Sequence, residues 1–233
     1  MEKEKYYNLI PSIGGSFGYG WRKMFEKAFL PLLLAVIIAG LLNGPVSASW
    51  KGEDHMAFNF LLFFPLIIFS LAYKFLFMPI IEYGESFLFL KAMRDEEAEI
   101  KVLFDGFKKR YLDIVLAKLI VFALVLIGMV MLIVPGIIIW CRLAFVPYLV
   151  MDKELEPMKA VEKSWHMTRG HGWTIFFMGV LSVLIFIAGI IVFIFGAIIS
   201  IIWIHSAFAS LYQAVLNKDE ENNPIPILGV NEV

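Results

Sequence analysis

The chain has 233 residues, of which 60% are hydrophobic and 18% charged, and its formal net charge is −1. Its mean hydropathy is +0.79. Soluble domains are roughly 45–50% apolar and 25% charged, so the composition excludes an ordinary soluble fold and favours a membrane protein. The near-neutral charge gives no indication of a nucleic-acid partner, and the single cysteine, Cys141, excludes a disulfide framework.

Long apolar stretches predict six membrane-spanning helices, because a helix needs about 20 apolar residues to cross a bilayer. The 40 residues of Leu112–Met151 and the 44 of Trp173–Leu216 are each sufficient for two spans. The spans are predicted near residues 29–49, 58–81, 112–133, 135–151, 173–193 and 196–216. They form one membrane domain, residues 1–218, followed by a polar tail, residues 219–233. Two geometries are open for Pro135-Gly136, a hairpin turn and a re-entrant segment.

The Lys and Arg residues outside the spans lie almost entirely on one side of them. Sixteen lie in the N-terminal segment, in the connections Glu82–Tyr111 and Asp152–Gly172, and at Lys218 just after the last span, whereas only Lys51 lies in the other connections. The cytoplasmic connections of membrane proteins carry the excess of positive charge. The sequence therefore predicts that both termini are cytoplasmic.

Each predicted hairpin follows a segment with the apolar periodicity of a surface helix. These segments are Phe17–Ala28, Ile100–Tyr111 and Glu156–Gly170. In the third, Met158, Val161 and Trp165 share an apolar face opposite basic side chains, which is typical of a helix lying at the lipid headgroups. Its candidate interfacial residues are Lys159, Lys163, Trp165 and Arg169. The predicted fold is thus all-α, a polytopic membrane protein whose three hairpins each follow an amphipathic interfacial helix. The three units are either internal repeats or independent juxtamembrane helices.

Charged residues inside spans are the first functional candidates in a membrane protein. Lys118 and Arg142 lie where their side chains can extend to the headgroups. Lys74 tilts away from its nearer interface, so the sequence predicts a protein partner or a wet cavity for it. A structural ion pair and a substrate or ion site are the alternatives for Lys74.

The last predicted span carries a polar stripe, with His205 beside it near the middle of the membrane. The stripe consists of Ser206, Ser210, Gln213 and Asn217. Close helix packing and a pore or substrate lining are the alternatives, and packing is the more common use of small residues in spans. The candidate intramembrane positions are therefore Lys74, Arg142 and His205.

No catalytic, cofactor or metal site is predicted. The glycine-rich run Gly14–Gly20 lacks the preceding strand and the Gly-Lys-Ser/Thr ending of a phosphate-binding loop. His166 and His171 have no further ligands at the spacing of a metal site. No nucleophile-and-base arrangement is recognisable, so the sequence does not predict an enzyme.

Three further segments have a familiar pattern: Val134-Pro135-Gly136-Ile137-Ile138, Arg142–Tyr148 and Ser164–Trp173. With Leu103–Phe107, they resemble uncharacterised bacterial integral membrane proteins of the YciC-like type, and also the membrane domain fused to some glycerophosphodiester phosphodiesterases. The resemblance covers most of residues 80–215. It implies a six-span, multi-pass protein of the bacterial cytoplasmic (inner) membrane. It implies no catalytic residue, because the phosphodiesterase chemistry belongs to a separate soluble domain.

These observations predict a non-enzymatic scaffold or accessory component of a transport or envelope process. Its partners would be the lipid bilayer and a protein at the cytoplasmic face, with the oligomeric state left open. A small solute or ion transporter or channel is the alternative, because Pro65, Pro79 and Pro147 could interrupt spans as in known transporters. A membrane-embedded enzyme is the third interpretation.

Overall fold

A computed structural model describes residues 10–26, 28–43, 68–191 and 194–222. Within these ranges the chain forms helices and no β-strand. The α-helices are α1 (Ile13–Phe25), α2 (Phe29–Asn43), α3 (Met78–Met93), α4 (Val102–Lys109), α5 (Tyr111–Met131), α6 (Ile133–Arg142), α7 (Val146–Asp152), α8 (Pro157–Met167), α9 (Gly172–Ile191) and α10 (Ile194–Asn222).

Four helical stretches are long and apolar enough to cross a membrane: Tyr111–Met131, Ile133–Asp152, Gly172–Ile191 and Gly196–Asn222. The bent pair α1 and α2 adds a fifth if it counts as one span. Large apolar side chains are exposed along these helices, for example at Val130 and Ile191, which are each 80% exposed. A soluble monomer rarely exposes such continuous apolar surface, so these side chains meet lipid. The predicted class, an all-helical multi-pass membrane protein, is confirmed. Parts of the predicted spans 29–49 and 58–81, namely residues 44–49 and 58–67, lie outside the described residues.

The helix that carries Lys74 continues beyond the predicted span end at Ile81. It is described from Ile68, passes through a π-helical turn at Tyr73–Phe77 and ends at Met93. In that turn the Met78 N–H donates to the Tyr73 carbonyl, five residues earlier. This wider turn directly precedes Pro79, which has no N–H to donate to the carbonyl four residues earlier, as a regular α-helix requires. Hydropathy falls after Ile81 because acidic side chains follow, but these do not end the helix.

The turn between α5 and α6 lies at Leu132 rather than at Pro135-Gly136. Leu132 is extended (φ −166°, ψ 149°), and Pro135 falls in the first turn of α6, where its missing N–H breaks no helical hydrogen bond. The Gly136 Cα lies only 2.9 Å from where a Cβ on Gly128 would be. The two helices therefore form a closely packed antiparallel hairpin.

The predicted span 135–151 is not one continuous helix. α6 ends at Arg142, the residues Leu143–Phe145 form turns, and α7 begins at Val146. Pro147 cannot donate to the Leu143 carbonyl, which accepts from the Val146 N–H at 3.2 Å instead. The proline thereby interrupts the helix in the turn that precedes it.

α1 packs directly against α10. A Cβ on Gly20 would lie 2.8 Å from the backbone nitrogen of Ala207, so only a glycine permits this approach. The Trp203 indole N–H donates to the Phe17 carbonyl at 2.9 Å. On the α10 side, Ser206 and Ser210 are buried, and their hydroxyls have no hydrogen-bond partner among the described residues. The serine part of the polar stripe thus lies in a packed region and lines no cavity described here.

The α8 helix forms within the predicted segment Glu156–Gly170, and it buries only part of the predicted apolar face within the protein. Met158 is exposed and Trp165 is half-buried. The buried side chains are small or medium-sized: Ala160, Val161, Ser164 and Met167. Val161 is the one member of the predicted apolar face that is buried, because close packing against other helices selects small and medium-sized side chains. Placement of α1, α4 and α8 at a membrane surface stays a prediction.

Ion pairs join the N-terminal segment, the connection Glu82–Tyr111 and the connection Asp152–Gly172 to one another and to the end of α10. Lys23 of α1 reaches Asp95 at 2.7 Å, and Lys153 reaches Glu220 at 2.8 Å. Lys163 of α8 pairs with Asp219. These pairs explain why α10 continues into the predicted tail: its last residues are held by cations from the neighbouring segment.

Arg94 and Asp152 form a buried ion pair at the centre of this region. The Arg94 Nη2 lies 2.9 Å from Asp152 Oδ2, and its Nε lies 2.6 Å from Gln213 Oε1. Tyr212 donates to the same carboxylate at 2.9 Å. Burial alone would lower the pKa of Arg94, but the hydrogen bonds and charge of Asp152 outweigh it and raise that pKa. The pair ties α3, α7 and α10 together.

Candidate functional site

A cavity of about 420 Å³ lies between α3, α5, the interrupted α6–α7 segment and α10. Three of these four walls belong to helices apolar and long enough to span a membrane. The lining is nevertheless partly polar and ionisable. The lining residues are Glu82, Tyr83, Glu85, Ser86, Lys118, Val121, Trp140, Leu143, Ala144, Pro147, Tyr148, Ile204, His205 and Phe208.

Two of the ionisable groups in the cavity neutralise each other. The Lys118 ammonium on α5 pairs with the Glu82 carboxylate on α3. The sequence predicts that Lys118 extends to the headgroups and that Lys74 needs the partner. In the structure it is Lys118 that has the carboxylate, because α5 packs across α3 beside Glu82.

Glu85 is the most enclosed of the charged groups in the cavity, with 7% of the residue exposed. It lies one helical turn after Glu82 on the same face of α3. His205 on α10 lines the same cavity, and its ring lies 5.1 Å from that of Phe89. No Lys or Arg of the described ranges forms an ion pair with Glu85.

The interrupted helix shapes the opposite wall of the cavity. Leu143 and Ala144, in the turn between α6 and α7, face the cavity together with Pro147 and Tyr148. The Tyr148 ring stacks on Tyr212, with the ring centroids 4.8 Å apart. An intact helix would present a regular ridge of side chains here. The break instead leaves a recess that is lined by the small side chain of Ala144 and by the rings of Pro147 and Tyr148.

The backbone freed by that break is satisfied by α8. The Arg142 carbonyl accepts from the Ser164 hydroxyl at 2.8 Å and from the Thr168 hydroxyl at 3.3 Å. The segments Arg142–Tyr148 and Ser164–Trp173 are therefore in direct contact. The first segment contains the helix break beside the cavity, and the second donates the hydrogen bonds that stabilise it.

The three intramembrane candidates, Lys74, Arg142 and His205, lie at different places in the structure. His205 lines the cavity, whereas Lys74 is exposed and has no ion-pair partner among the described residues. Arg142 donates to the Trp165 carbonyl at 3.3 Å, and its guanidinium lies 5.4 Å from the Trp165 ring centroid. It borders a separate, largely apolar cavity of about 490 Å³ between α6 and α9. The structure thus brings only one of the three candidates to the polar cavity.

The candidate interfacial residues of α8 make contacts within the protein. Lys163 is paired with Asp219, and Lys159 lies 3.1 Å from Glu156 on the exposed side. Trp165 packs over Arg142. Arg169 is exposed near the end of α10. Two of the three basic side chains therefore have carboxylate partners in the protein itself.

Sequence reasoning assigned Lys118 to the headgroups and did not assign Glu82 or Glu85 to a site. The signal for them is a pair of carboxylates three residues apart, directly after an apolar stretch that ends at Ile81. A hydropathy boundary assigns such a pair to a loop. If the predicted helix is continued by one turn beyond Ile81, Glu82 and Glu85 lie on the same helix face. A lysine from another span can then reach their carboxylates.

No group of three or more His, Cys, Asp or Glu side chains is arranged to hold a metal ion within the part of the chain that the structure describes. Comparison of the chain with protein-family models, with curated proteins and with solved structures finds no match. The function therefore has to be argued from the cavity.

Proposed function

We propose that the chain is a six-span protein of the bacterial cytoplasmic membrane with both termini in the cytoplasm. Sixteen Lys and Arg residues lie in the segments that this orientation places inside. The ion pairs Lys23–Asp95 and Lys163–Asp219 support it, because they connect segments that must then lie on the same side. The resemblance to YciC-like proteins belongs to the same proposal.

The orientation is tested by cysteine labelling in a Cys141→Ser background. A cysteine at Gly52 is expected to react with an impermeant maleimide in intact cells, and one at Lys109 only after the cells are opened. The opposite pattern would reverse the orientation.

The function that the geometry supports best is binding of a small polar solute inside the membrane domain, as a step in moving it across the membrane. The observation that carries this is the cavity, in which Glu82, Glu85, Lys118 and His205 meet between otherwise apolar helices. Ionisable groups are costly in a membrane and are retained mostly where they serve a pathway or a site. Packing alone would be served by apolar side chains.

The helix break beside the cavity is a second supporting observation. Transporters commonly build solute sites from interrupted spans, whose free backbone groups and displaced side chains line the cavity. Here the interruption at Leu143–Phe145 forms part of the wall, and Ser164 satisfies the carbonyl it frees. The break therefore persists without unpaired backbone at Arg142.

The scaffold or accessory role stays a prediction from the sequence. Its basis was that the recognisable motifs lie on the predicted cytoplasmic side and around the Pro-Gly hairpin, where surface helices would face lipid or a partner. On one of those helices, α8, Lys159 and Lys163 have carboxylate partners within the chain. An enzymatic role stays the third interpretation of the sequence. Solute transport is the role that the polar cavity supports best.

A cavity-filling variant tests the proposal. Ala144→Phe adds a ring to the cavity wall, and Ala123→Phe makes the same change at an exposed position of α5. Purified protein is screened for thermal stabilisation by a panel of amines, carboxylates, sugars and phosphate esters. Solutes that stabilise the wild type are then measured for uptake into proteoliposomes.

We expect at least one solute to stabilise the wild type and to enter wild-type vesicles. Ala144→Phe should abolish both effects while Ala123→Phe retains them. If Ala144→Phe vesicles take up every solute as fast as the wild type, or if no vesicle takes up more than protein-free ones, the cavity is not a transport site.

A further inference from the structure

The charge in the cavity indicates which solutes it accepts. We infer that the site selects a small organic cation, such as an alkylammonium ion, whose charge is met by Glu85. The inference rests on the proposed function, since it assigns a substrate class to that cavity. It follows from three features of the lining: its charge, its enclosure and its aromatic walls.

The first feature is a surplus of negative charge. Glu82 and Lys118 neutralise each other as an ion pair. Glu85 is then the charge that remains, and the other titratable groups facing it are His205, Tyr83 and Tyr148. Glu85 is thus the carboxyl group of this cavity that no ion pair among the described residues neutralises.

The second feature is the enclosure of that charge. Glu85 is 7% exposed, and a carboxylate removed from water is destabilised unless a cation or hydrogen bonds compensate. A bound ammonium group would compensate it. An anion would meet like charge, and a neutral solute would leave Glu85 uncompensated.

The third feature is the composition of the walls. Trp140, Tyr148 and Phe208 present rings, and Leu143 and Ile204 present aliphatic surface. Ring faces attract cations, while aliphatic surface favours a ligand that carries hydrocarbon. The volume of about 420 Å³ lies within the usual range for small-molecule sites and exceeds the needs of a bare ion. An organic cation satisfies both kinds of wall.

Three probes of matched shape test the charge selectivity: butylammonium, butyrate and butanol. Binding to the full-length protein in lipid nanodiscs is measured by saturation-transfer NMR, with empty nanodiscs subtracted. Site binding is defined as the part that Ala144→Phe abolishes and Ala123→Phe retains. Glu85→Gln removes the charge, and Glu97→Gln makes the same change at an exposed carboxylate.

We expect site binding for butylammonium alone. Glu85→Gln should weaken it by about tenfold or more, the usual effect of removing a charged partner, and Glu97→Gln should leave it unchanged. Site binding of butyrate or butanol as strong as that of butylammonium overturns the inference and leaves the proposed function standing. Equal butylammonium affinity in Glu85→Gln, or no site binding by any probe, also overturns it. Site-bound butylammonium that never enters vesicles contradicts transport and leaves the charge selectivity intact.

Discussion

Replacing Asp152 by Asn should be one of the most destabilising single changes in this chain. The carboxylate accepts two hydrogen bonds from Arg94 and one from Tyr212. The two charged side chains are 14% and 7% exposed. Removing one partner of a buried ion pair typically costs about 3–5 kcal/mol, because the other charge is left buried and uncompensated. We expect Asp152→Asn to lose an amount in that range.

A double-mutant cycle separates the pair from its surroundings. Arg94→Met alone should also destabilise, but the double variant with Asp152→Asn should lose less than the sum of the two single changes. A coupling of about 0.5–3 kcal/mol is usual for residues in direct contact. The exposed pair Lys101–Glu99 is the control, and Glu99→Gln should cost about 1 kcal/mol or less.

The measurement is the free energy of unfolding in lipid–detergent mixtures titrated with SDS. Comparable losses for Asp152→Asn and Glu99→Gln would show that the buried pair does not tie α3, α7 and α10 together. Additivity in the Arg94 and Asp152 cycle would lead to the same conclusion.

Two further changes test packing and charge placement by the same measurement. Gly20→Ala should destabilise by about 1–3 kcal/mol, because its Cβ would meet the Ala207 backbone. Gly18→Ala, where a Cβ meets nothing within 4 Å, should stabilise by about 0.5–1 kcal/mol through helix propensity. Equal effects of the two changes would contradict the α1–α10 contact. Lys118→Leu should destabilise by up to about 1 kcal/mol, since it leaves the Glu82 carboxylate without its partner. Lys74→Leu should be neutral or stabilising. A larger loss for Lys74→Leu than for Lys118→Leu would contradict the assignment of the ion pair to Lys118.

Local composition was sufficient to predict the membrane class and several helices. α5 and α9 are continuous apolar runs, so hydropathy located them within a few residues. α8 begins at Pro157, as expected for a proline in the first helical turn. These features depend on neighbours in sequence.

The cavity could not be predicted in the same way because its contacts join distant residues. Lys118 and Glu82 are 36 positions apart, and hydropathy separates them into a span and a loop. Pro147 predicts an interruption of the helix. Which residues then face the cavity depends on how α6 and α7 pack against α10. The buried face of α8 was likewise decided by close packing at Ala160, which no periodicity of large apolar residues reveals.

Water access to the cavity is the most direct test of the central claim, that the membrane domain contains a site for a polar solute. In a Cys141→Ser background, a cysteine replaces Ser86 in the cavity or Ala123 on the exposed face of α5. Each variant in nanodiscs is treated with a small, permanently cationic thiosulfonate reagent. The account predicts that the cysteine at Ser86 reacts and is protected when Ala144→Phe fills the cavity, while the cysteine at Ala123 stays unreactive. Equal, negligible labelling at Ser86 and Ala123 would contradict it.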